Sequence, residues 1–200
     1  MTDKFKDKAK DWDVTDRITQ LSAGIGSSIL KNVKLNAQMH VMDFGAGTGL
    51  ITSQVAPFVS KITAVDISQS MLDQLIAKQE LKDKVQALCQ DITHKPTGEK
   101  YDLIMSAMAM HHVEDTDNMV KQFAAHLKSG GKIALADLDK EDGSFHPPGI
   151  EGVYHSGFER SQFQAKLEKH GFKDVHFETA HTVQGDTKTY PVFLALATKA

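Results

Sequence analysis

Asp43, Gly45, Ala46, Gly47 and Gly49 fall within MHVMDFGAGTGLITSQV, residues 39–55, directly behind an apolar run. Glycine lacks a Cβ, so a G-x-G-x-G loop turns sharply and lets a ligand approach bare backbone. The dinucleotide fingerprint spaces its glycines G-x-G-x-x-G and receives a pyrophosphate on a helix N-terminus. Here Leu50 holds the sixth position, and Asp43 stands two residues before the first glycine. A carboxylate there disfavours a pyrophosphate and suits a ligand carrying an ammonium group. The loop therefore points to a nucleoside cofactor with positive charge and no phosphates.

Two further carboxylates extend the pattern. Asp66, in VDIS, follows Gly47 by nineteen residues, where it can accept from both ribose hydroxyls. Asp91, in CQDIT, can accept from an adenine amino group, with Ile92 against the purine face. Singly, such features are also what tight turns and helix caps look like. In this order, each at the end of a strand-like run, they describe a pocket for an adenosine with a cationic tail, which is S-adenosylmethionine.

A second group of residues could move protons. His111 and His112, in MAMHHVED, follow the fourth strand-like run, and histidine titrates near neutrality. The irregular segment KEDGSFHPPGIEGVYHSG, together with the residue before it, carries Asp139, Glu141, Asp142, His146, Glu151 and His155. Loops of this length are often lids or binding loops. His155, in the glycine-flanked YHSGF, stands first among these as a candidate base. The plainer alternatives are a helix-capping imidazole and a polar surface loop. The histidines show no metal-ligand spacing, so no metal site is expected.

The elements that must position these groups alternate from residue 39 onward. HVMDF, KITAVDI, KVQALCQD, KYDLIMSAMA and KIALADLD read as strands. GLITSQVAPFV reads as a helix stopping near Pro57. QSMLDQLIAKQEL reads as a helix capped by Ser68, and DTDNMVKQFAAHLKSGG as one closed by its glycines. This β-then-α order indicates an α/β fold, a parallel sheet with helices on both faces. FERSQFQAKLEKHGF reads as a further helix, and KDVHFETAHTV and YPVFLALATK as an antiparallel hairpin on the sheet edge. TDRITQLSAGIGSSILKNV should be helical, with a break near Gly24 and Gly26.

Two hundred residues suit one domain over 1–200, with residues 1–38 as a helical lid, 39–200 as the core and 139–157 over the acceptor site. The net charge of −3 and the acidic interleaving of Lys6, Lys8 and Lys10 argue against a nucleic-acid partner. No stretch resembles a secretory signal or a membrane span, so a cytoplasmic protein with no membrane partner is expected. The lone Cys89 excludes an internal disulfide, and its VQALCQD setting reads as a buried strand.

VMDFGAGTG, VDISQSML, CQDIT, YDLIMSAMAMHHV and LKSGGKIALADLD occur in an order that resembles the class I S-adenosylmethionine-dependent methyltransferases, particularly their small type 11 or type 25 members. The resemblance spans about residues 10–200. It implies a Rossmann-like seven-stranded sheet, parallel but for a C-terminal antiparallel hairpin. It implies that Gly45, Ala46, Gly47 and Gly49 hold the methionine part of the cofactor and Asp66 the ribose. Ile67 and Met71 would flank the adenine, Asp91 and Ile92 complete the base site, and Ala107 offers backbone to the amino-acid end. KDWD with DRITQLSAGI is similar to the family's lid helix, with Trp12 over the cleft.

The expected activity is methyl transfer from S-adenosyl-L-methionine to a small organic acceptor, leaving S-adenosyl-L-homocysteine, by a monomer or homodimer. An RNA or protein methyltransferase is an alternative, but SAMA stands where amino-methylating nucleic-acid enzymes carry N-P-P-Y. A binding protein without catalysis is a further alternative. The glycine spacing disfavours an NAD-dependent oxidoreductase.

Overall fold

The computed structural model describes Asp3 and residues 6–200, so the opening of the lysine–aspartate leader lies outside the described residues. Seven strands form one sheet: β1 (His40–Phe44), β2 (Lys61–Asp66), β3 (Val85–Cys89), β4 (Tyr101–Ala107), β5 (Leu127–Leu138), β6 (Phe172–Gln184) and β7 (Thr189–Lys199). Their spatial order is β3-β2-β1-β4-β5-β7-β6. The first five pair in parallel, and β7 lies antiparallel between β5 and β6. The interiors of β1 and β2 are continuously buried, as expected for parallel strands covered on both faces.

Helices cover the two faces. On one, α1 (Asp16–Asn32), α2 (Leu50–Val55) and α3 (Gln69–Ile76) bury Leu21, Ile25, Ile29, Val55, Leu72 and Leu75 against β1, β2 and β4. On the other, α4 (Thr116–His126) and α5 (Arg160–Lys169) bury Met119, Val120, Phe123, Phe163 and Leu167. Each such side chain contributes about 1.5–3 kcal/mol by leaving water. Strand order reverses between β1 and β4, so the loop after β1 opens at the topological switch point.

Four local expectations are corrected. α1 runs unbroken through Gly24 and Gly26. Those glycines serve close packing: a methyl at Gly24 would meet His181 Nδ1 at 2.6 Å, and one at Gly26 would collide with the Gln54 amide. α3 stops at Ile76, and a 3-10 turn over Gln79–Leu81 then delivers Leu81 to the core. α4 ends at His126, and Gly130 and Gly131 lie inside β5, where the β4–β5 register shifts. Cys89 is exposed rather than buried, because β3 is the edge of the sheet.

Candidate functional site

The glycine loop is tied to the strand tips by backbone. The amides of Gly45 and Ala46 donate to the Val65 carbonyl at 2.8 and 3.1 Å, and Gly49 N donates to the Ala46 carbonyl at 2.9 Å. Gly45, Gly47 and Gly49 have φ of 68°, 54° and 83°, a region that costs other residues roughly 1–2 kcal/mol. Their surroundings differ. A methyl at Gly45 would collide with the Ala109 side chain and one at Gly49 would press on Leu75, but one at Gly47 would meet nothing. Only Gly47 faces open space, as a close-approach position for a ligand requires.

Asp43 lies beneath this loop, almost fully buried, with Thr52 Oγ1 donating to its Oδ2 at 2.5 Å. Burial pushes its carboxyl up to about 7, against the opposing Thr52 bond. At neutral pH the group is therefore poised between its neutral and charged forms. At the β2 tip, Asp66 Oδ2 accepts from Gly47 N at 2.8 Å and Oδ1 from Ser68 N at 2.9 Å. Burial also raises its pKa. Ser68 caps α3, accepting from Met71 N.

Around this tip, Ile67 is 55% exposed whereas Met71 and Ile92 are buried, so Ile67 presents the free apolar surface. Asp91 accepts from Thr93 N and Oγ1 and pairs with His94 Nδ1 at 2.9 Å. Burial opposes its charge, but these bonds outweigh it and hold the carboxyl below its ordinary range. Ala107, half-buried, ends β4, and Met108 beyond it takes φ 56° while its N–H bonds the Ala136 carbonyl. A non-glycine residue so constrained at a strand tip is typical of functional sites.

The N-terminal segment docks on the loop. A 3-10 turn over Ala9–Val14 contains the half-buried Trp12 and also Asp13, which accepts from Thr48 Oγ1 at 2.5 Å and pairs with Lys78 Nζ at 2.7 Å. Asp3 accepts from the hydroxyls of Ser68 and Ser70 at 2.8 and 2.7 Å. Asp13 thus ties the glycine loop to Lys78, just past α3, and Asp3 holds the start of α3. Most of α1 itself packs in the core, and only its approach reaches the loop.

Beyond β4 and β5 lies a histidine cluster. His111 is 1% exposed; its Nδ1 is 2.7 Å from Asp137 Oδ1, and its backbone N–H donates to Asp137 Oδ2 at 3.2 Å. His146 Nε2 is 3.2 Å from His111 Nε2. The ring of His112 lies 4.1 Å from that of His111, and its Nδ1 faces the Gly152 carbonyl at 2.7 Å. Burial, with His111 beside it, pushes His112 down to about 4, so it stays uncharged at neutral pH. Phe145 stands edge-on to His146 and to Tyr190, under the Arg17 guanidinium at 4.7 Å.

The loop that brings His146 here has pinned ends. Lys140 N bonds the Phe158 carbonyl, Glu141 N that of Ser156, and Arg160 grips Asp139 with two bonds of 2.7 Å. Glu141 accepts from three backbone amides at the turn, Gly143 to Phe145, and Asp142 pairs with Lys188. These carboxylates hold the loop in shape. His155 does not join the cluster: its Nε2 faces the carbonyls of Val113 and Glu114, and it lines a separate cavity of about 300 Å³ with Lys140, Thr116 and Lys166. The residues missed in the sequence are Asp137, Asp13 and Thr48. Asp137 had one signal, a carboxylate inside an otherwise apolar strand.

Known proteins match this geometry. Residues 41–131 match the methyltransferase domain family. An uncharacterized methyltransferase of Schizosaccharomyces pombe is 29% identical over 60% of this chain and 48% of its own length. A ubiquinone biosynthesis O-methyltransferase of Coxiella burnetii is 30% identical over 68% of this chain and 61% of its own. The chain thus spans about half to three fifths of the length of these relatives. A chain in the solved complex of the Haloferax volcanii Trm112 methyltransferase activator with a methyltransferase has the same fold, with TM-score 0.82, 15% identity, and 99% and 98% of the two chains covered. Residues 41–131 thus carry the methyltransferase domain pattern, and the chain has the fold of, and resembles in sequence, the class I S-adenosylmethionine-dependent methyltransferases.

Proposed function

We propose that the protein binds S-adenosylmethionine at the β1, β2 and β3 tips and transfers its methyl group to a small organic acceptor under the 139–157 loop. The carrying observation is the open cradle at Gly47, set between the buried Asp43 and the Asp66 carboxylate that bonds the Gly47 amide. Bare backbone receives the methionine part, and Asp43 supplies negative charge under a cationic ligand. Asp66 turns a carboxylate oxygen to the ribose, Ile67 lies on the adenine, Asp91 faces the base, and the buried Met71 and Ile92 back the base site. Ala107 offers backbone to the amino-acid end, and Trp12 covers the cleft. The cofactor brings an activated methyl group, and the chain's work is alignment, exclusion of water and handling of protons.

The acceptor's place is taken from the β4 tip, where Ala107 and Met108 are partly buried, and from Phe145, which stands against His146. A small-molecule acceptor suits a site beneath a loop whose ends are pinned. Among the described residues no helix is long and apolar enough to cross a membrane. The test is calorimetry with S-adenosylmethionine, followed by incubation with a small-molecule extract. Release of S-adenosylhomocysteine is expected, and binding without release would reduce the protein to a cofactor binder.

A further inference from the structure

Asp137, fully buried at the tip of β5, accepts three hydrogen bonds, from His111 Nδ1, His111 N and Leu138 N. A carboxylate so placed only accepts, so Nδ1 of His111 carries a proton, and in the neutral ring Nε2 keeps its lone pair. His111 Nε2 is 3.2 Å from His146 Nε2. Two ring nitrogens share a hydrogen bond only when one of them carries the proton. With both rings neutral, His146 therefore carries its proton on Nε2, which leaves a lone pair on its Nδ1. That nitrogen makes no hydrogen bond among the described residues, and it is not among their buried unpartnered atoms. The chain of bonds orients one accessible base.

On the methyltransferase reading above, we infer that the acceptor is protic, losing a proton from oxygen, nitrogen or sulfur as it is methylated, and that His146 Nδ1 takes that proton. Asp137 and His111 are positioning residues that act through His146. As the acceptor atom bonds the methyl carbon, the carbon–sulfur pair departs with sulfur, and the acceptor's X–H pair stays on X. The proton goes to His146 Nδ1, and the His146 Nε2 proton can pass to His111 Nε2, placing the positive charge beside Asp137. Return of a proton to water through His146 restores the starting tautomers. The net products are the methylated acceptor, S-adenosylhomocysteine and one proton.

The groups facing His146 keep it ready. Burial, His111 and Arg17 disfavour its charged form and outweigh Glu141 and Asp137, so its pKa is lowered and the ring is neutral at pH 7. His112, held by Gly152, is too weak a base to substitute.

Long-range ¹⁵N–¹H spectra of ¹⁵N-histidine-labelled protein read the tautomers without any acceptor. The expected pattern is Nδ1–H on His111 and Nε2–H on His146, with the His111 pattern lost in Asp137→Asn. The reverse tautomer on His111 in the unsubstituted protein overturns the inference. With the small-molecule extract, His146→Ala should lower S-adenosylhomocysteine release about 10²-fold and abolish the acid limb of its pH profile. Cofactor affinity should change less than twofold, which separates this loss from misfolding. Unchanged release and pH profile in His146→Ala overturn the inference, whereas failure of the unsubstituted protein to bind the cofactor overturns the methyltransferase reading instead.

Discussion

The two halves of the cleft are built by different means. The glycine loop and the β1–β3 tips present backbone amides and a few carboxylates, and each of these carboxylates has a partner close in sequence. Asp66 bonds Ser68, Asp91 bonds Thr93 and His94, and Asp43 bonds Thr52. The histidine side presents side chains brought together over long separations: His111 meets Asp137 across 26 residues and His146 across 35. The first half is a cradle of backbone amides and carboxylates at neighbouring strand tips, and its demands fall on residue type. The second is an assembly that exists only once β4, β5 and the 139–157 loop are in place. Binding and proton handling can therefore be damaged separately.

The largest separation should come from Gly47→Ala. The new methyl meets no protein atom, so its stability cost is the positive φ alone, about 1–2 kcal/mol. It does occupy ligand space, and cofactor affinity should fall at least a hundredfold by calorimetry. Gly45→Ala should instead show its damage in the melting temperature, because its methyl strikes Ala109. Equal affinities for the Gly47 variant and the parent would remove the cradle. Next, Asp66→Ala should weaken cofactor binding by roughly 1.5–3 kcal/mol, the loss of hydrogen bonds to a charged group, while the His111 and His146 tautomers stay unchanged.

The pH dependence of Asp43 gives a third contrast. Its folded pKa, about 7, lies above its ordinary 3.8, so the folded state favours the protonated form. That contribution to stability is fully present below about pH 4 and is lost as pH rises through about 7. A cationic cofactor reverses the preference. Its affinity should rise from pH 6 to 8 with release of protons, and Asp43→Asn should flatten both trends. The smallest effect is expected at the strap: Asp13→Ala removes bonds to Thr48 and Lys78 and should cost about 1 kcal/mol of cofactor affinity, with turnover at saturation unchanged.

Legibility in the sequence follows the same division. HVMDF, the G-x-G-x-G spacing and the capping Ser68 are contiguous signals, and the sheet with its C-terminal hairpin followed from alternating runs. The break at Gly24 and Gly26 was misread because glycine marks close packing as well as helix ends, and only His181 and Gln54 reveal which. Cys89 was misread because an apolar run does not disclose that its strand lies at the sheet edge. Asp137 was overlooked, and the separation of His155 from the other histidines unforeseen, for a related reason. Spacing along the chain does not tell which side chains a folded loop turns inward, and His155 turns toward the Val113 carbonyl.

Calorimetric titration with S-adenosylmethionine and S-adenosylhomocysteine tests the central claim most directly. Saturable one-site binding of both, weakened at least a hundredfold by Gly47→Ala, is the predicted result. No heat of binding from either compound, with the protein folded throughout, would contradict it.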